Sequence, residues 1–181
     1  MIPMNESVTI DENTPLNIME TYRNDEYGFS FRYPGDWQEV PLSLLKTSSP
    51  TVIVCGIFGE QPDNASPPSI IVSHGQSLLS KKPDEDGYFH EVRALMPRML
   101  QGMQAISQTV REFEYLGFRE IGDKTGLYCR YIDGELPPVE THHLAFLHKD
   151  KQFVVTICDS QASFDKNRPL FDSLFDSFRF D

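Results

Sequence analysis

The chain has 181 residues, of which 39% are hydrophobic and 12% aromatic; this is enough apolar material for one domain with a sizeable core and excludes a disordered chain. The 16 lysines and arginines against 27 aspartates and glutamates give a formal net charge of -11, which repels nucleic-acid phosphates and anionic membranes. We therefore expect no nucleic-acid partner, no membrane insertion, and a protein partner that presents a basic surface.

The first part of the chain is polar. Residues 1–24 are acidic and contain Pro3 and Pro15, so we predict an N-terminal arm that precedes a single domain over residues 25–181. The opening residues have no basic region, no apolar segment and no early cysteine, which indicates neither a signal peptide nor a lipid anchor. No apolar run is long enough to span a bilayer. These features predict a cytoplasmic protein.

An alternating aromatic pattern marks the first predicted strand. Residues 27–37 read Tyr-Gly-Phe-Ser-Phe-Arg-Tyr-Pro-Gly-Asp-Trp. Because a β-strand sends alternate side chains to opposite faces, the aromatic residues should share one face, which we predict to be buried. These residues are Tyr27, Phe29, Phe31 and Tyr33. The proline and glycine that follow them end the strand.

The rest of the chain alternates between strand and helix patterns. Apolar residues spaced by three and four predict a long helix from Phe89 to Ile106, interrupted by Pro97, and a second helix over residues 164–178. Consecutive strands with short turns favour an antiparallel sheet. The predicted fold class is therefore α+β, an antiparallel sheet flanked by helices. Further strands are predicted over residues 36–40, 51–58, 69–74, 109–116, 126–133, 140–147 and 152–158.

The cysteines and histidines are the residues most able to carry chemistry. Cys55, Cys129 and Cys158 form no Cys-x-x-Cys pair and lie in apolar runs, which predicts buried thiols in a reducing compartment. His142 and His143 are neighbours on a predicted strand and face opposite ways. Either could reach a cysteine across neighbouring strands, but buried inert thiols are the commoner case. The spacings match no metal-ligand pattern and no nucleophile elbow or phosphate loop, so we expect no catalytic residue, cofactor or metal.

An acidic run precedes the long helix. Asp84, Glu85 and Asp86 stand where carboxylates favour a helix N-terminus, and that effect alone explains them. The same three residues are also our candidates for contact with a basic partner. Glu60 and Asp63 would join them if the two loops meet.

Three pieces of the sequence resemble the PsbP-like family. They are the aromatic hairpin at residues 27–37, the strand at residues 153–158 that leads into a helix, and the closing Ser-Phe-Arg-Phe at residues 177–180. In element order the resemblance covers roughly residues 25–181. It implies an α/β/α sandwich of the PsbP/Mog type. The same fold includes the Mog-type protein that binds the GTPase Ran and bacterial DcrB-like proteins, and some bacterial relatives look like chaperones for secreted effectors.

The resemblance implies a function in binding rather than catalysis. Members of the fold share binding of another macromolecule, so we expect a non-catalytic protein-binding domain. Two alternatives stay open. One is an effector chaperone that holds an apolar helix in a groove. The other is a small-ligand carrier or enzyme with a pocket between sheet and helix.

Overall fold

The computed structural model describes residues 18–45, 51–61, 64–76, 85–106, 108–134 and 137–181. In these ranges the helices are α1 (Tyr88–Ile106) and α2 (Gln161–Asp176), and a 3-10 turn spans Leu42–Leu44. The strands are β1 (Met19–Asn24), β2 (Phe29–Pro34), β3 (Gln38–Glu39), β4 (Val52–Phe58), β5 (Ser69–Gly75), β6 (Arg111–Ile121), β7 (Lys124–Asp133), β8 (Val139–His148), β9 (Lys151–Ser160) and β10 (Arg179–Phe180). Within this part of the chain, no helix is both long and apolar enough to cross a membrane.

The described strands form two antiparallel sheets. The large sheet has seven strands in the order β3-β4-β5-β9-β8-β7-β6, and the small sheet has three in the order β1-β2-β10. On β8, Leu144 belongs to the buried cluster that includes Phe164 of α2, whereas its neighbour Ala145 packs against the cluster that includes Tyr88 and Val92 of α1. Because successive strand residues point to opposite faces, the two helices cover opposite faces of the large sheet. This arrangement confirms the predicted α+β class with flanking helices.

The aromatic pattern of the first predicted strand forms part of the main core. Phe29 and Phe31 on β2 are 2% and 1% exposed. Tyr27 and Tyr33 are partly buried against the same cluster, which confirms that the four aromatic residues face one way. Tyr27 itself lies in the turn before β2, where Gly28 adopts a φ of +66° that favours glycine. The small sheet therefore packs its aromatic face toward α2 and the large sheet.

Three sequence predictions need correction. Met19–Asn24 falls within the predicted N-terminal arm, but it is β1 and pairs antiparallel with β2. The strand predicted over residues 109–116 continues to Ile121, past two register shifts and Gly117 at a φ of +102°. Such bulges insert an extra residue and break the period-two pattern, which is why the prediction stopped early. The second helix begins at Gln161, earlier than predicted.

Candidate functional site

The acidic run lies at the entry to α1. Glu85 and Asp86 are exposed, and the Glu85 carbonyl accepts a hydrogen bond from the Tyr88 amide at 3.1 Å. The carboxylates therefore stand in the turn that leads directly into the helix, where its N-terminal partial charge favours them. Glu60 is exposed in the loop after β4. Two of the predicted acids, Asp63 and Asp84, lie outside the described residues.

Two buried histidines join the turn before β2 to the large sheet. His74 on β5 lies with Nε2 2.9 Å from the Tyr27 hydroxyl. His148 on β8 donates from Nε2 to the Tyr27 carbonyl oxygen at 2.8 Å. Both rings also contact Phe153, with centroids 5.5 Å and 5.8 Å away. These two imidazoles thus serve the packing of the aromatic core.

A buried polar network connects β7 and β8 beneath α2. His142 is 1% exposed, and its Nε2 lies 2.8 Å from Oε1 of Glu140. Its Nδ1 accepts a hydrogen bond from the Tyr128 hydroxyl. Glu140 also accepts from Nε of Arg130 at 3.4 Å, and the imidazole stacks on Phe164 with centroids 4.3 Å apart. Burial lowers the pKa of His142 despite the opposing effect of Glu140, so the ring is neutral at pH 7.

The network has the bonding order of a hydroxyl–imidazole–carboxylate relay, the order that serine hydrolases use. Here the hydroxyl belongs to Tyr128, and burial raises its pKa. The guanidinium of Arg119 lies 5.6 Å from the centre of the tyrosine ring, and Phe175 of α2 packs edge-on against it at 6.0 Å. The hydrogen bonds of the relay lie within and between β7 and β8, and α2 covers them through the ring contacts of Phe164 and Phe175. Sequence spacing could have shown that Glu140 and His142 share a face, but not that Tyr128 joins them.

The opposite face of the large sheet brings a cysteine and a histidine together. Cys129 on β7 and His143 on β8 are register partners, as the sequence allowed. Burial raises the pKa of Cys129 to about 12, and burial together with His142 lowers the pKa of His143 to about 4. Both groups are therefore uncharged at neutral pH. A reactive cysteine acts as a thiolate, so this pair is not poised for nucleophilic attack.

The pKa of His143 predicts a stability loss in acid. The unfolded chain binds a proton at the ordinary value of 6.5, while the folded chain does so at about 4. The free energy of unfolding should therefore be unaffected above pH 6.5 and fall by up to about 3 kcal/mol between pH 6.5 and 4. Urea titrations across this range should show that His143→Gln removes this part of the pH dependence. If the wild type and His143→Gln lose the same free energy of unfolding over this range, other groups cause the pH dependence.

The described residues hold no group of three or more histidine, cysteine, aspartate or glutamate side chains arranged to bind a metal ion. The lack of a bound metal stays a prediction. Elemental analysis of untagged protein after dialysis should find far less than one equivalent of any transition metal. About one equivalent that survives dialysis would contradict it.

Two clefts, both open to solvent, flank the end of α2 in the described structure. The first has a volume of about 430 Å³ and is lined by residues of the small sheet and of the end of α2, with Arg32 among them. The second, of about 510 Å³, lies beside the turn between β6 and β7. Asp176 and Arg179 line both. Neither cleft reaches the Tyr128–His142–Glu140 network, so each would receive a surface group of a partner or a small ion.

Known proteins match this chain in structure rather than in sequence. A scan against protein-family models and a search of curated proteins found no match. Cyanobacterial PsbP (CyanoP) from Synechocystis sp. PCC 6803 superposes with a TM-score of 0.61 at 17% identity, over 93% of this chain and 96% of that chain. The Ran-binding protein Mog1p of Saccharomyces cerevisiae superposes with a TM-score of 0.55 at 11% identity, over 90% and 95%. The chain therefore has a PsbP/Mog-like fold, as its sequence resemblance implied.

Proposed function

We propose that this chain is a non-catalytic domain that binds another protein. The observation that carries the proposal is that the described groups most able to do chemistry are held inside the fold. His142 has both ring nitrogens bonded to Tyr128 and Glu140, and Cys129 is a neutral buried thiol. The fold is shared with a protein described as Ran-binding. That likeness supports a binding role, but it does not identify the partner, because proteins that share a fold often bind different partners.

We further propose that the partner presents a basic surface to the acidic run before α1. The chain carries a formal net charge of -11, and Glu85 and Asp86 are exposed. An acidic surface of this kind steers a basic partner toward it during diffusion. A cytoplasmic setting belongs to the same proposal, since Cys55, Cys129 and Cys158 are free thiols and a reducing compartment keeps them so.

Reversal of the acidic run should slow association with the partner. When Asp84, Glu85 and Asp86 are all changed to lysine, we expect the on-rate at 0.1 M salt to fall about tenfold, with a smaller change in the off-rate. The wild-type on-rate should itself fall as salt rises to 1 M, because the Debye length shrinks from about 10 Å to about 3 Å. Surface plasmon resonance with the purified partner measures both rates.

A second reversal variant separates local contact from total charge. Glu26, Asp36 and Glu39 are exposed acids elsewhere on the domain, and their change to lysine alters the net charge by the same six units. This control should retain most of the on-rate. Because lysines at a helix N-terminus also oppose the helix dipole, the denaturation midpoint of each variant is measured alongside. Equal slowing by both variants, or slowing by neither, would place the interface away from α1.

A further inference from the structure

The outer face of the small sheet carries positive charge on an otherwise acidic protein. Arg23 of β1 and Arg179 of β10 are both register partners of Ser30 on β2. Arg32 lies two residues further along β2, on the same side of the strand. Because residues two apart share a strand face, the three arginine side chains leave the small sheet together, away from its aromatic face.

The three arginines differ in how their charge is used. Arg23 is bound to two carboxylates, Asp25 at 2.6 Å and Asp181 at 3.0 Å. Arg32 is exposed, and among the described residues no carboxylate lies within ion-pair distance of it. The charge of Arg32 therefore remains available to a bound anion.

Arg179 is held in place by main-chain groups. Its Nη1 donates to the carbonyl oxygens of Asp176 at 2.9 Å and Phe178 at 2.6 Å. These bonds offset the partial negative charge at the end of α2 and fix the guanidinium at the rim of the first cleft. A guanidinium has five N–H donors, so donors remain for a ligand.

The cleft between α2 and the small sheet contains these two arginines and several hydroxyl groups. Arg32 and Arg179 line it together with Thr21, Ser30 and Ser173. Asp176 is its one carboxylate among the described lining residues, which leaves a formal charge of about +1 inside the cleft. Because the Debye length at physiological salt is about 8 Å, acidic residues farther away than this distance reduce the positive potential in the cleft only slightly.

We propose that this cleft binds a phosphate group. Arg32 and Arg179 lie on neighbouring strands two residues out of register, which places their Cα atoms about 8 Å apart. Two arginine side chains can close on one tetrahedral oxyanion across that distance, and guanidinium groups are the preferred donors to phosphate. The hydroxyls of Thr21 and Ser30 supply further donors. None of the described residues that line the cleft belongs to the acidic run or to α1, so the site is tested independently of the proposed function.

Amide NMR of the full chain tests the site. Inorganic phosphate should shift the backbone signals of Ser30, Arg32 and Ser177 saturably, with half-saturation at about 1–10 mM. Sodium chloride at equal ionic strength should not. A parallel titration with O-phosphoserine distinguishes the source: comparable affinity indicates a phosphate ester on a larger molecule, and binding of inorganic phosphate alone indicates the free ion.

Variants decide whether the proposed residues are responsible. Arg32→Gln should weaken phosphate binding about tenfold or more, the usual effect of losing one charge-assisted hydrogen-bond pair. Asp176→Asn should strengthen it several-fold, because it removes a negative charge from the cleft. Arg98→Gln, an exposed arginine on α1, should leave it unchanged. The site would be contradicted if chloride produced the same amide shifts as phosphate. It would also be contradicted if Arg32→Gln, with an unchanged denaturation midpoint, showed undiminished shifts with phosphate.

Discussion

Replacement of Phe31 by alanine should lower the free energy of unfolding by about 3–5 kcal/mol, the usual range for a buried phenylalanine. The side chain is 1% exposed, and its ring centroid lies 4.7 Å from that of Phe178 and 5.3 Å from that of Tyr22. Truncation therefore removes the ring contacts with Tyr22 of β1 and with Phe178, which follows α2, and leaves a cavity among them. Urea denaturation of wild type and variant measures the loss.

A surface leucine provides the control for this truncation. Leu44 is 70% exposed, so its change to alanine should alter stability by less than about 0.5 kcal/mol. If Phe31→Ala costs less than about 1 kcal/mol, the aromatic face of β2 is not a packed core and the assignment of the main core is wrong.

Loss of the Glu140 carboxylate should destabilise the domain by about 3 kcal/mol. Its side chain is 9% exposed and accepts hydrogen bonds from His142 at 2.8 Å and Arg130 at 3.4 Å. Glu140→Ala leaves a buried imidazole donor and part of a guanidinium without their partner, which costs more than the bonds themselves contribute. The expected value is at the low end for a buried ion pair because Arg130 keeps its contact with Glu114 at 3.2 Å.

Glu114 is the matched control, since it binds the same arginine from an exposed position. Its side chain is 56% exposed, and an ion pair in solvent contributes little, so Glu114→Ala should cost less than about 1 kcal/mol. Urea denaturation at pH 7 compares the two variants. Equal losses would show that Glu140 acts as an ordinary surface carboxylate and that the Tyr128–His142–Glu140 network does not stabilise the domain.

Elements with an uninterrupted hydrophobic period could be predicted from the sequence. Phe29 and Phe31 repeat at the strand period and are buried together because that period matches the pleat. Met19–Asn24 gave no such signal, since four of its six residues are polar and its burial does not alternate regularly. It is a strand because β2 offers it a partner, and pairing between strands is not visible in a local window.

The acidic run and the arginine cleft also differ in whether a local stretch of sequence reveals them. The acidic run could be recognised because Glu85 and Asp86 are adjacent in the chain, and both are exposed. The arginine cleft could not, because Arg32 and Arg179 stand near opposite ends of the sequence. Only the pairing of β10 with β2 brings them to one face. A charge cluster whose residues are adjacent in the chain is visible in the sequence, whereas one that sheet pairing assembles from distant residues is not.

The most direct test of the binding role is reconstitution of a complex from purified components. The wild-type chain and the triple lysine variant are each used to capture proteins from native lysate at 0.1 M salt. Proteins that only the wild-type chain captures are identified and then purified singly. Analytical ultracentrifugation should show that one of them forms a saturable complex of fixed stoichiometry with the wild-type chain, and that 1 M salt weakens it. If none of the captured proteins binds the purified chain, the claim that this domain acts by binding a protein through its acidic surface is contradicted.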